Sequence, residues 1–323
     1  MNTCESAALL FGGTSENFPL NNIERLNKNF SFENENSHLI FKMGKGDIPV
    51  VEIKNELASA VISLQGAHVL SWVPEQKNDV IWLSEDAVFA KGKSVRGGIP
   101  VCWPWFGAHE SNSNYPAHGF ARTVFWDVIA VKQLESAETQ ITFKLDTKKL
   151  EEKYQNMWPY ATVAEYIITI GSKLNLELIT FNNSDNEITL GQALHTYFNI
   201  NDVRNTRLTG LDGKDYLDKT TGFNRKTQSG VVTIDSEIDR VYLNTADTLE
   251  LDDTKRKIII SKQDSFSTVV WNPWEEVANK MGDLGKDGYL KMLCVESANA
   301  ADDTVLIQPN KTHTLRVTYE VKE

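Results

Sequence analysis

From residue 48 to the C-terminus, the chain repeats one pattern: short runs in which apolar and polar residues alternate with period two, broken by turn-forming residues. Ala58, Ala60, Ile62 and Leu64 alternate, Gln65 and Gly66 interrupt, and His68–Val73 resumes, which predicts a hairpin. Val80–Leu83 reads as another short strand. Val124–Val131, Gln140–Leu145, Ala161–Ile170, Leu174–Asn182 and Ile188–Phe198 follow, with Gly171 and Ser172 as a turn. Val231–Ile234, Thr248–Leu251, Lys257–Ser261, Ser267–Trp271, Tyr289–Val295 and Leu315–Val321 complete the series. Helical signals are few. Ile23, Leu26 and Phe30 share a helical spacing within Asn22–Phe30, and Lys148–Tyr154 suits a helical turn. Many short strands at near-regular spacing predict an all-β protein, a large antiparallel β-sandwich. No composition break marks a linker, so residues 1–323 read as a single domain. The weakly patterned first 30 residues read as a peripheral N-terminal extension.

Composition narrows the partners. Of 323 residues, 41% are hydrophobic, enough for a large core. Lys plus Arg is 33 and Asp plus Glu 44, a net charge of −11, and the pI is near 5.1. That balance argues against broad binding to nucleic acid or anionic membranes. A small anionic substrate would need a local basic site set against it. Cys4, Cys102 and Cys294 are far apart and show no metal or disulfide spacing, which fits a reducing compartment. The start, MNTCESAALLFGG, lacks the basic region of a signal peptide, and no apolar run could span a bilayer. A cytoplasmic location is expected; the oligomeric state is left open.

One segment departs from the strand pattern. Arg96–Arg122 reads RGGIPVCWPWFGAHESNSNYPAHGFAR. Its glycines permit close backbone approach, and Pro100, Pro104 and Pro116 interrupt regular ladders. Two tryptophans, two phenylalanines and a tyrosine lie between arginines. Aromatic faces suit a sugar ring, and guanidinium suits phosphate or carboxylate. An aromatic core corner with surface arginines is the ordinary alternative.

Chemistry-bearing residues recur in four further places. In GQALHTYFNI, Ile188, Leu190, Leu194 and Phe198 share one strand face, which reads as core. Gly191, Ala193, His195 and Tyr197 share the other, which suits a cleft floor. A lone strand histidine is more often structural. In KMLCVESAN, Glu296 follows an apolar run at a strand end and must be paired, hydrogen-bonded or functional. Asp239 in SEIDRVYLN could accept a sugar hydroxyl or sit in an ordinary turn. Trp271, Asn272 and Trp274 in VVWNPW form a second aromatic corner, and His118 in AHGFAR could position a hydroxyl. The remaining histidines read as ordinary, and no spacing suggests a metal site.

Together RGGIPVCWPWFG, PAHGFAR, LHTYFN, DRVYLN, WNPW and CVESAN resemble the hexose-6-phosphate mutarotases, the glucose-6-phosphate 1-epimerase branch of the aldose 1-epimerase group. The similarity runs from about residue 45 to the C-terminus, in the family's order. It implies a galactose-mutarotase-like β-sandwich and a small sugar-phosphate substrate. It also implies catalysis by His195 and Glu296, and substrate contacts from Arg96, Arg122 and Asp239. Some relatives carry glutamine where this chain has Ala117, so any contact by that side chain is absent here.

Exchange of anomers needs no cofactor. A base removes the O1 proton while an acid protonates the ring oxygen O5, and the roles reverse on closure. The expected assignment is Glu296 as base and His195, protonated, as acid, on opposite sides of the hemiacetal. Two alternatives use the same residues: a non-catalytic carbohydrate-binding domain, and a general mutarotase for free sugars. Glycoside hydrolysis ranks last, because it usually needs two facing carboxylates.

Overall fold

The structure is a computed structural model and describes residues 20–322. These residues form 24 strands and three α-helices. The strands gather into sheets of nine, eight, five and two. Their longest pairings, such as Lys173–Asn182 with Thr162–Ile170 and with Thr312–Lys322, are antiparallel. Period-two alternation is visible as burial: Leu174, Leu176 and Leu178 are fully buried, while the residues between them are partly exposed. Among the described residues, no helix is long and apolar enough to cross a membrane.

The nine- and eight-stranded sheets meet through side chains on their inner faces. Phe198 packs edge-on against Tyr319, with ring centroids 5.0 Å apart. Leu194, Phe198, Leu293 and Val295 of the eight-stranded sheet share one apolar cluster with Leu176, Leu315 and Tyr319 of the nine-stranded sheet. The eight-stranded sheet therefore turns its other face, carrying Ala193, His195 and Tyr197, away from that core. The two faces of the 188–198 stretch divide as the alternation predicts.

Four expectations change in detail. Val80–Leu83 is not a strand. Val80 donates to Trp72 O and Trp82 to Tyr197 O, so its donors alternate between two partners and no ladder forms. Ile188–Phe198 is three short strands, Ile188–Leu190, Gln192–Leu194 and Tyr197–Asn199. The first pairs with Val305–Ile307, and the chain then turns as Gly191 N donates to Pro104 O and His195 N to Pro100 O. The strand expected at Tyr289–Val295 runs over Met292–Asn299, because Gly288–Leu290 coils into a 3-10 turn. Glu296 accordingly lies inside a strand whose eight residues are all buried, and not at its end.

The helix expected at Asn22–Phe30 spans Leu20–Phe30. Its Leu26 is 1% exposed, and the Asn27 side chain donates to Phe41 O and accepts from Phe41 N. Of the stretch expected as an extension, residues 1–19 and Cys4 lie outside the described residues, whereas this helix is packed. Cys102 and Cys294 are buried free thiols.

Candidate active site

Strand register assembles the site. Gln192–Leu194 and Tyr197–Asn199 both pair with Met292–Asn299, with Leu194 opposite Ser297 and Tyr197 opposite Cys294. The register is the same on both sides of the break, so His195 stands opposite Glu296. Directly opposed residues share a sheet face, as do residues two apart on one strand. On this face Val241, Val269 and Glu296 form one cross-strand row that continues to His195. The adjacent row is Asp239, Trp271, Cys294 and Tyr197. Asp218 pairs with Arg240, so the next residue, Lys219, takes the register position opposite Asp239.

The Arg96–Arg122 segment covers this face. His68, read as ordinary in the sequence, is 1% exposed and donates from Nε2 to Gly97 O at 2.9 Å, which anchors the start of the segment. Gly119 has φ of +70°, and a Cβ there would collide with the Trp103 carbonyl. That contact closes the segment on itself and returns the chain to Arg122 in the 3-10 turn Ala121–Thr123.

Between the segment and the sheet lies a cleft of about 350 Å³. His195, Glu296, Arg96, Arg122, Asp239, His118 and Trp271 line it, whereas Asn272 and Trp274, grouped with Trp271 in the sequence, do not. Sequence reading missed Lys219 and Ser94, and noted Phe106, as one of the loop aromatics, and Tyr197 without assigning either to the site. Period two from His195 could have found Tyr197. Nothing local marks Lys219 in YLDKTTG; only register reveals it.

His195 Nε2 is 3.3 Å from Glu296 Oε1, with side-chain exposures of 11% and 1%. The His195 ring stacks on Tyr197 at 5.0 Å and 17°, and Trp271 meets it edge-on at 6.1 Å. The Tyr197 hydroxyl accepts from Arg96 Nη1 at 3.0 Å. The imidazole is thus held on two sides. Three buried polar atoms of lining residues have no hydrogen-bond partner: His195 Nδ1, Glu296 Oε2 and Asp239 Oδ1. Buried polar atoms are normally paired, and hydroxyl-rich ligands could satisfy these.

Burial dominates the electrostatics. It pushes the Glu296 carboxyl well above the usual carboxylate range, opposed by the Lys219 ammonium. It pushes His195 well below the usual imidazole range, and nearby His118 and Arg122 act in the same direction. The separation would admit an ion pair, but burial favours neutral forms of both groups. Both shifts run against a carboxylate–imidazolium pair, because both side chains are cut off from water. The two side chains stand side by side on one face of the sheet. His118 is lowered to about 3, chiefly by burial, and its Nδ1 accepts from Gly107 N–H at 3.3 Å, so Nε2 carries the proton.

The two arginines are not equivalent. Arg96 donates from Nε to Asp283 at 3.1 Å as well as to Tyr197. Arg122 donates to Ala117 O at 2.9 Å, and among the described residues no carboxylate pairs with it. Among the described residues, no three His, Cys, Asp or Glu side chains gather as metal ligands.

The fold is thus a sandwich of antiparallel sheets, with His195, Glu296 and several cationic side chains gathered in one cleft. The family profile described as aldose 1-epimerase matches residues 49–320, and the chain belongs to that family. It is an isomerase that interconverts sugar anomers. An Escherichia coli K12 protein, provisionally named glucose-6-phosphate 1-epimerase, is 32% identical over 270 residues, 83% of this chain and 88% of that protein. A Cenchrus ciliaris protein with the same provisional name is 32% identical over 265 residues, covering 78% of each chain. The crystal structure of a provisionally named mutarotase from Salmonella typhimurium superposes with a TM-score of 0.81 at 30% identity. That superposition covers 88% of this chain and 94% of the other.

Proposed function

We propose that this isomerase acts on hexose 6-phosphates, as a glucose-6-phosphate 1-epimerase, with His195 and Glu296 as its acid–base pair and no cofactor. The observation that carries the reading is the buried 3.3 Å contact between His195 and Glu296, in a cleft that Arg122 also lines. The names of the relatives above agree with it.

Ring opening moves one proton off O1 and one onto O5. Glu296, as carboxylate, takes the O1 proton while His195, as imidazolium, gives its proton to O5. The C1–O5 bond breaks and C1=O1 forms. Rotation about C1–C2 presents the other carbonyl face, and reversal of the same transfers closes the ring. The pair needs one proton in total. At 3.3 Å that proton can pass between the two side chains. Asp239 accepts sugar hydroxyls, the aromatic rings flank the sugar, and His118 offers Nε2–H. Phosphate takes paired, charge-assisted hydrogen bonds from guanidinium.

The test is proton NMR exchange between anomers of glucose 6-phosphate and of glucose, with and without protein. Acceleration of both, with preference for the phosphorylated sugar, is expected. Binding without acceleration would leave a carbohydrate-binding protein, and equal acceleration of both sugars a general mutarotase.

A further inference from the structure

His195 sits in a break of its strand, and the opposite sheet grips that break. Gln192–Leu194 ends just before it and Tyr197–Asn199 begins just after Thr196. Across the gap the chain closes a three-residue turn, in which Thr196 N donates to Leu194 O at 2.9 Å. The Thr196 hydroxyl donates to the same carbonyl at 3.3 Å, and its oxygen lies 2.6 Å from the Tyr319 hydroxyl. A hydroxyl carries one proton, so with the Thr196 proton on Leu194 O, Tyr319 is the donor. Burial holds the Tyr319 phenol well above its usual range, so it keeps that proton.

Tyr319 holds the stretch at two points. Its hydroxyl meets Thr196, and its ring packs edge-on against Phe198. Thr196 and Phe198 alternate with His195 and Tyr197, the two residues that line the cleft. Thr196, Phe198 and Tyr319 are all 0% exposed. Tyr319 is itself fixed from both sides, because its strand pairs it with Leu174 on one neighbour and with Ile260 on the other. His195 has less support of its own. Its Nδ1 has no hydrogen-bond partner, so no third group orients the ring as one does in a catalytic triad.

We infer that Tyr319 is a positioning residue for the acid–base pair: through Thr196, its hydroxyl fixes the turn that stands the His195 ring beside Glu296. This rests on the reading of that pair given above. A misplacement of about 1 Å at a reacting group can cost about a hundredfold in rate. Without the Tyr319 hydroxyl, the Thr196 oxygen loses its buried donor. Rotation of the Thr196 side chain toward another partner then releases Leu194 O and loosens the turn. The competing account is that the two hydroxyls only satisfy each other in the core and contribute to stability alone.

The experiment measures kcat and KM for anomer exchange of glucose 6-phosphate and of glucose, with melting curves. It uses wild type, Y319F, T196S, T196V and the double variant Y319F/T196V. In Y319F, kcat should fall about tenfold on both sugars with KM little changed, because the groups that line the cleft are untouched. T196S keeps the hydroxyl and should keep most of kcat. The double variant separates the two accounts. Removing one partner leaves a buried polar atom unsatisfied, whereas removing both is nearly neutral for stability. The melting temperature of Y319F/T196V should therefore recover relative to the single variants, while its kcat stays low. A kcat that returns with the melting temperature would overturn the inference, as would wild-type kcat in Y319F or a loss confined to KM. If Y319F does not fold, the double variant decides alone, with wild-type kcat overturning the inference. If H195N and E296Q keep wild-type exchange, the acid–base reading fails first; if both are slow while Y319F/T196V exchanges at the wild-type rate, only the role of Tyr319 fails.

Discussion

Glu296 and His195 face each other across two hydrogen-bonded strands, and their 3.3 Å contact is a property of register. A slip of one residue would turn either side chain to the other face of the sheet, and a slip of two would separate them along it.

Removing either partner should therefore abolish one proton transfer without dismantling the fold. Glu296→Gln and His195→Asn are each expected to slow anomer exchange about a hundredfold or more, the usual scale for a positioned acid or base. NMR exchange on variants with cooperative melting checks this. Near-wild-type exchange in either folded variant would remove that residue from the mechanism.

The pH profile should be broad. The working pair holds one proton, so activity falls when His195 gains a second or when Glu296 loses the only one. Burial moves the first event well below 6.5 and the second well above 4.5. For glucose, which has no ionising group near neutrality, the acid limb of kcat/KM should lie well below 6.5 and the alkaline limb well above 4.5. An acid limb at 6.5 or an alkaline limb at 4.5 would mean that burial does not set the protonation of the pair.

The arginines should separate by phenotype. Arg122→Ala is expected to lower kcat/KM for glucose 6-phosphate about ten- to a hundredfold and to spare glucose. Arg96→Ala strips the partner from the Tyr197 hydroxyl, behind the His195 ring, and leaves Asp283 unpaired. It should depress both substrates and lower the melting temperature. Identical profiles for the two variants would contradict the difference in their contacts.

His68 should make the fold acid-sensitive. Burial lowers its pKa from 6.5 to about 4. The folded state thus binds fewer protons than the unfolded state below 6.5, so its stability is complete above 6.5 and is lost as pH falls toward 4. The loss from this residue is about 3 kcal/mol across that window. Melting temperature against pH for wild type and His68→Gln measures it. An unchanged slope in the variant would show that other groups cause the acid loss.

Much of this protein is legible in its residues. Period-two alternation marks nearly every long strand, because a sheet with one buried face imposes that period on any sequence that forms it. The alternation also shows that His195 and Tyr197 turn away from Leu194 and Phe198. The motifs identify the side chains that line the cleft. Tertiary structure alone decides which of them meet. His195 and Glu296, like Lys219 and Asp239, become neighbours through ladders between distant segments, and no local propensity encodes a register. Val80–Leu83 fails as a strand for the same reason, since its hydrogen-bond donors are claimed by two different partners. Protonation is likewise a property of the assembled core. Carboxyl and imidazole groups that look ordinary in the sequence shift in opposite directions once packing removes their water. Arg96 and Arg122 look alike in RGGIPVC and HGFARTV, and only the fold gives one of them a carboxylate.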